Sequence, residues 1–212
     1  ILTDRALRFI DRHKADTFLL CLHYRAPHEA FLPVADQDMA HHADLDATVP
    51  DYPGLKVAFA KSKTRDYYAS ISSIDRNVGR VLKQLDDLDL TQRTIVIFTS
   101  DHGYNLGHHG LRYKGNAFWM TEQNPPKRWA DIPAARRPNM FDTSLRVSLA
   151  IRWPGVVKPG TVINRTVDNT DWFPTLLAMA GVAMPDDVAV RGHSFRPLLE
   201  GRDVPWDDDL YA

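Results

Sequence analysis

Thr94-Ile95-Val96-Ile97-Phe98-Thr99 runs directly into Ser100-Asp101-His102-Gly103, and Lys114 follows thirteen residues after the aspartate. A β-branched run that stops at two adjacent metal-capable side chains and a glycine has the form of a strand ending at the carboxyl edge of an α/β sheet, where ligands bind. Neighbouring side chains on a regular strand point to opposite faces, so Asp101 and His102 converge on one ion only where the strand stops. Gly103 is expected to supply the backbone freedom for that break. On the residues alone, an aspartate and a histidine at a strand end more often simply cap the next turn than bind a metal, and Lys114 reads as a solvated lysine.

Working outward, the pattern alternates helix and strand. Residues 3 to about 15 carry Ala6, Leu7 and Ile10 on one side with charges elsewhere, which predicts a short amphipathic helix leading into a strand over Thr17-Phe18-Leu19-Leu20-Cys21-Leu22. From Tyr24 to about Lys61, prolines, aspartates and histidines crowd together and predict a long loop region. Tyr68, Ile71, Ile74, Val78, Val81, Leu82 and Leu85 then fall at three- and four-residue spacing, so a helix is expected over about 62–87. After a second loop from Asp101 to Met140, Arg146 to Trp153 reads as a strand closed by Pro154-Gly155. Thr170 or Asp171 caps a helix over about 172–180, with Pro174 tolerable in its first turn and Gly181 ending it. Asp75 and Asp171 are read as structural. The sequence predicts an α/β fold, with a mixed, mostly parallel central sheet flanked by helices.

Composition agrees with that reading and bounds the partners. The 212 residues, 44% hydrophobic and 25% charged, hold enough apolar material for one α/β body across residues 1–212. A net charge of −1, with no acidic or basic half, gives no sign of a nucleic-acid or membrane-surface binder and leaves a small molecule or carbohydrate as the expected partner. A single cysteine, Cys21, excludes an internal disulfide, and no apolar run approaches the ~20 residues that cross a bilayer. Composition leaves compartment and oligomeric state open. Ile1 in place of methionine, and a strand-like opening at Val204-Pro205-Trp206 and Leu210-Tyr211-Ala212, raise the expectation that more chain lies at both ends.

The run Ser100-Asp101-His102-Gly103-Tyr104-Asn105-Leu106-Gly107-His108-His109-Gly110 with Lys114, followed by Thr143-Ser144-Leu145-Arg146-Val147 and Ile151-Arg152-Trp153-Pro154-Gly155, resembles a type I, formylglycine-dependent sulfatase of the alkaline phosphatase superfamily. The likeness extends from the Phe18 to His28 segment to the Pro174 to Gly181 helix. Its specific part is Asp101-His102-Gly103 with Gly107, His109, Gly110 and Lys114. The resemblance implies an alkaline phosphatase-like fold and hydrolysis of a sulfate ester. It implies that Asp101 and His102 are two ligands of a single divalent ion, which draws sulfate oxygens and nucleophile together. Lys114 would place a positive charge on the sulfate, His28 would contact it and protonate the departing alcohol oxygen, and His109 would line the same pocket. Taken singly, loop histidines such as His28, His41 and His42 are more often surface residues than catalysts. By resemblance alone, a periplasmic or secreted location is favoured.

Two departures from the family pattern matter. Many relatives carry asparagine where His102 stands, so calcium is the first choice of ion but the nitrogen ligand admits manganese or zinc. The family's nucleophile is a formylglycine made from cysteine in a C-x-P-S-R motif, and that motif is absent from the chain; Cys21-Leu22-His23-Tyr24-Arg25 lacks its proline and serine. The family's paired aspartates are absent as well, so nucleophile and remaining ligands are expected before Ile1. Phe118, Trp119 and Trp129 with Lys127, Arg128, Arg136 and Arg137 suit a sulfated carbohydrate, unless those aromatics pack their loop onto the body. Three functions stay open: a sulfate ester hydrolase, a phosphate or phosphonate ester hydrolase of the same superfamily, and an inactive fragment.

Overall fold

The computed structural model describes residues 1–209, so the strand opening expected at Leu210-Tyr211-Ala212 lies outside the described residues. In chain order the elements are α1 (Leu2–His13), α2 (Asp36–Ala40), α3 (Val57–Asp87), β1 (Val96–Phe98), β2 (Asn105–Leu106), β3 (Leu111–Tyr113), β4 (Phe118–Trp119), α4 (Asp142–Leu145), β5 (Ala150–Arg152), α5 (Trp172–Ala180) and α6 (Arg196–Leu199). Among the described residues they group into two compact units, one of residues 1–93 with 102–147, the other of 94–101 with 148–209. No helix of the described residues is long and apolar enough to cross a membrane.

In the first unit, α1 buries Thr3, Ala6 and Ile10, a one-sided spacing that lays the helix along α3. Arg80 of α3 donates to Asp4 of α1 at 2.5 Å, and Thr3 Oγ1 lies 3.0 Å from Tyr24 Oη. Helix α3 begins at Val57, a full turn before the periodic apolar residues predict. The added turn is held from outside: Lys56 N–H donates to Met120 O at 2.8 Å, and fully buried Ala60 packs with Leu55 and Met120. Tyr68 and Ile71 are exposed, and the helix buries Thr64, Ala69 and Ser70 instead. Small residues let neighbouring chain come close where bulky ones would hold it off. Asp38 of α2 is buried and accepts both Arg76 Nε at 2.9 Å and Arg76 NH2 at 2.7 Å, a bidentate pair that orders part of the region expected to be loop.

The stretch from Asn105 to Trp119, expected as loop, is an antiparallel meander of three short strands. Asn105 pairs with Tyr113 and Leu106 with Arg112; Leu111 pairs with Trp119 and Arg112 with Phe118. Leu111, Ala117 and Trp119 form its core, with Trp129 packed against them. The segment from Thr17 to Leu22, expected as a strand, has no ladder partner among the described residues, and Leu19 is 77% exposed.

In the second unit β1 pairs with β5 antiparallel, Val96 opposite Arg152 and Phe98 opposite Ala150. Phe195, Leu198 and Leu199 form the core, packed by Ile151, Trp153 and Trp172 among others. Helix α5 occupies the span the sequence predicts. Its entry is a capping box one turn earlier than expected: Asp168 Oδ1 accepts from Thr170 N–H at 2.6 Å, and Asp171 Oδ2 accepts from Asp168 N–H at 3.0 Å. Gly181 closes the helix in the left-handed conformation, φ 69°.

Candidate active site

The strand of Val96 to Phe98 delivers Asp101 in the second unit; the chain enters the first unit at His102. Asp101 is exposed, its Oδ1 3.3 Å from Ser100 Oγ, and its carbonyl accepts from Asn169 Nδ2 at 2.9 Å. His102 is half-buried, and its Nδ1 donates to the Gly103 carbonyl at 2.7 Å. A carbonyl only accepts, so this bond puts a ring proton on Nδ1 and, in the neutral ring, leaves the lone pair on Nε2. Metal-ligating histidines are held in this way, with the second nitrogen tied to a carbonyl.

Gly103 is needed for a different reason from the one the sequence suggests. Its φ is not positive; a Cβ there would stand 2.3 Å from the Thr143 carbonyl oxygen. Its N–H donates to Ser144 O at 2.9 Å. The same docking is secured by Asn105, which is fully buried: its Nδ2 donates to Tyr113 O at 2.8 Å and to Ser144 Oγ at 2.6 Å, while its Oδ1 accepts from Thr143 Oγ1 at 2.5 Å. A buried amide with both ends satisfied rigidifies the turn that follows His102.

Backbone strain is concentrated just beyond. Positive φ occurs at Gly107 (91°), His109 (55°), Gly110 (70°), Tyr113 (74°) and Gly115 (63°). Glycine adopts this region freely, whereas His109 and Tyr113 each hold it at a cost of ~1–3 kcal/mol. Strain of that kind persists where surrounding structure imposes it. His109 is pinned by stacking on Phe141, ring centroids 3.8 Å apart and planes 9° from parallel, on an exposed surface.

Lys114 lies one residue beyond Tyr113 and meets His28. Its Nζ is 2.7 Å from His28 Nε2, across 86 residues of sequence. The histidine's other nitrogen, Nδ1, lies 2.6 Å from the Glu29 carbonyl and must be its donor. Nε2 is therefore the acceptor, and the lysine ammonium donates to it. Of the residues singled out from sequence, the structure joins His28 with Lys114, places His109 on Phe141, and leaves Asp101 and His102 contiguous in the chain. Among the described residues no third histidine, cysteine or acidic side chain gathers with them into a metal-sized cluster.

Two further residues belong to this arrangement. The carboxylate of Glu29, next to His28, is paired with Arg112 NH2 and lies 3.4 Å from the Tyr104 hydroxyl. Burial, then neighbouring Tyr113 and Tyr67, push the Tyr104 phenol well above its ordinary pKa and keep it a donor. Sequence reading missed Glu29 and Arg112. Their available signal was adjacency: one follows His28, the other precedes Lys114 by two. The aromatic loop resolves toward packing, since Trp119 is buried, Trp129 packs on it at 5.9 Å, and Arg137 covers the Trp119 ring at 5.7 Å.

The family model described as Sulfatase matches residues 1–182. The chain belongs to the sulfatase family. Mouse (Mus musculus) steryl-sulfatase is 32% identical over 203 residues, which cover 94% of this chain and 27% of that protein. The N-acetylglucosamine-6-O-sulfatase of Bacteroides thetaiotaomicron is 34% identical over 136 residues, 64% of this chain and 20% of that one. A structure solved in complex with its substrate D-glucosamine-2-N,6-O-disulfate superposes with a TM-score of 0.76 at 22% identity, covering 97% of this chain and 53% of the other. The phosphonate monoester hydrolase of Silicibacter pomeroyi superposes with 0.68 at 23%, covering 97% and 42%. The solved structures share the chain's alkaline phosphatase-like fold, and the chain spans well under half the length of the steryl-sulfatases it matches.

Proposed function

We propose that this chain carries the oxyanion-binding and leaving-group side of a metal-assisted sulfate ester hydrolase acting on a sulfated carbohydrate. The observation that carries it is the contact of Lys114 Nζ with His28 Nε2. An ammonium and an imidazole at hydrogen-bond distance, on chain segments far apart in sequence, form a cationic pair matched to an oxyanion. Lys114 holds a sulfate oxygen by charge. The pair also holds a proton on the Nζ to Nε2 axis. As the sulfur–oxygen bond breaks, its electrons leave with the alcohol oxygen, that proton goes to the same oxygen, and the pair ends one positive charge poorer. His109, stacked face-on to Phe141, offers a planar surface to the substrate.

Asp101 and His102 would hold the divalent ion. The donor set fits by type: a carboxylate followed in the chain by an imidazole whose Nδ1 is tied to a carbonyl, with calcium the first choice and manganese or zinc favoured to the extent that nitrogen ligates. When bound, that ion supplies electrostatic stabilisation of the sulfate oxygens. The nucleophile is assigned to a formylglycine outside these residues, because exposed Cys21 lacks the proline and serine of the motif. Support for a carbohydrate comes from the sulfated-sugar relatives. A second reading, a phosphonate or phosphate ester hydrolase, draws on the phosphonate monoester hydrolase likeness and on the Asp101-His102 pair.

The test is turnover of 4-nitrophenyl sulfate, glucosamine 6-sulfate and 4-nitrophenyl phosphate by the full-length protein. Sulfate turnover dominating phosphate turnover is the expected result. Preference for phosphate overturns the sulfatase reading in favour of the second, and no turnover of any overturns both.

A further inference from the structure

Glu29 and Arg112 form a contact the proposed chemistry does not use. Both side chains are largely withdrawn from water, 19% and 21% exposed, and they join across 83 residues. Arg112 is otherwise enclosed by rings, its guanidinium carbon 4.6 Å from the centre of Tyr113 and 5.2 Å from that of Phe59, and its Nε is buried without a hydrogen-bond partner among the described residues. A half-buried ion pair with an orphaned nitrogen contributes little net stability. Stability alone therefore does not account for it.

Its position does. The Glu29 carboxylate is gripped by Arg112 and Tyr104, while the carbonyl of the same residue takes His28 Nδ1 at 2.6 Å and Arg25 NH2 at 3.4 Å. Fixing both ends of Glu29 fixes the carbonyl that sets the His28 tautomer. Arg112 meanwhile sits in β3, two residues before Lys114. The ion pair thus ties the segment bearing Nε2 to the segment bearing Nζ.

We propose that the Glu29–Arg112 ion pair is a positioning device that sets the His28 tautomer and presents Nε2 to Lys114 and the departing oxygen. This rests on the sulfate ester reading above. Glu29 and Arg112 are positioning residues, acting on the reacting atoms only through His28 and Lys114.

The test uses the full-length protein carrying Glu29→Gln with Arg112→Met, which removes both charges together and avoids stranding one in the interior. Expected is a fall in kcat of roughly ten- to a hundredfold on glucosamine 6-sulfate with KM nearly unchanged. On 4-nitrophenyl sulfate, whose leaving group departs without a proton, the fall is smaller. Equal losses on both substrates, or none, overturn the proposal, because damage unconnected with proton delivery treats both alike. Nitrogen NMR of the imidazoles reads the latch independently of turnover: His28 in the unsubstituted protein carries its proton on Nδ1, and the double variant shows a mixture. An unchanged tautomer in the double variant overturns the latch even where the enzyme is active. If the unsubstituted protein turns over no sulfate, the functional reading fails, and the NMR result alone decides the latch. Should the double variant not fold, Arg112→Lys, which keeps charge but loses the planar fork, is read the same way.

Discussion

The residues from Gly107 to Gly115 and the helix from Trp172 to Gly181 are built on opposite plans. In the first, five of nine residues have positive φ, two of them a histidine and a tyrosine, and the conformation is held by contacts from Glu29, Tyr52, Asn105 and Phe141. In the second, a single glycine has positive φ, at the one place a helix end favours it, and the entry is a capping box made by its own neighbours. Local rules account for the helix. The strained stretch contradicts them and carries Lys114 and His109, the residues proposed to meet the substrate; strain of this kind clusters at functional sites.

The contrast predicts that stability and activity separate. Phe195 is 2% exposed and meets Trp172 edge to face at 5.0 Å in the core of the second unit. Phe195→Ala is expected to cost about 3–5 kcal/mol in denaturant unfolding, with turnover per folded molecule unchanged. Lys114→Met should do the reverse: kcat falls roughly 10²- to 10³-fold, worth about 2.7–4 kcal/mol in the barrier, at an unaltered melting temperature. A Lys114 variant that melts early, or a Phe195 variant with impaired turnover once folded, would erase the distinction.

Legibility in the sequence divides along the same line. Pro174 in a first turn and Gly181 after the last apolar residue mark α5, because start and stop signals are local. The β-branched run before Asp101 marks β1 for the same reason. The meander of Asn105 to Trp119 leaves no comparable trace, since strands of two or three residues are too short for alternation to register. Helix α3 is legible in its middle but not at its start, where Ala60 is buried by Leu55 and Met120 from other segments. In the site, Asp101, His102, Lys114 and His28 stand out through the family pattern. Glu29 and Arg112 do not, because an ion pair across 83 residues has no signature in either segment. Gly103 was legible as a glycine that matters, yet the reason, an approach to the Thr143 carbonyl too close for a Cβ, exists only once the chain has folded.

A single exchange of alanine and glycine sharpens the comparison further. At position 109, with φ 55°, glycine should be more stable than alanine by about 1 kcal/mol, because alanine keeps the left-handed penalty and loses the Phe141 stack as glycine does. In α5 the order reverses, and Ala178→Gly should cost about 1 kcal/mol. Both follow from thermal or denaturant melts of variant pairs. The same order at both positions would mean that His109 is not under strain.

The smallest expected effect is a change of slope, and it concerns the buried carboxylate of Asp38 in the first unit. Arg76 donates two hydrogen bonds to Asp38 and, with help from Ser73, holds its carboxyl below the usual carboxylate range. The folded protein therefore binds fewer protons here than the unfolded chain does, whose aspartates titrate near ~3.9. Stabilisation from this group is complete above about pH 4 and is lost as the pH falls through the depressed folded value. Asp38→Asn removes the titration while keeping an oxygen for Arg76. Comparing melting temperatures of the two proteins from pH 7 to 3, the gap between them should be constant down to about pH 4 and narrow below it. A gap that stays constant to pH 3 would mean that Arg76 does not hold Asp38 ionised, and that the pairing seen between them contributes shape without charge.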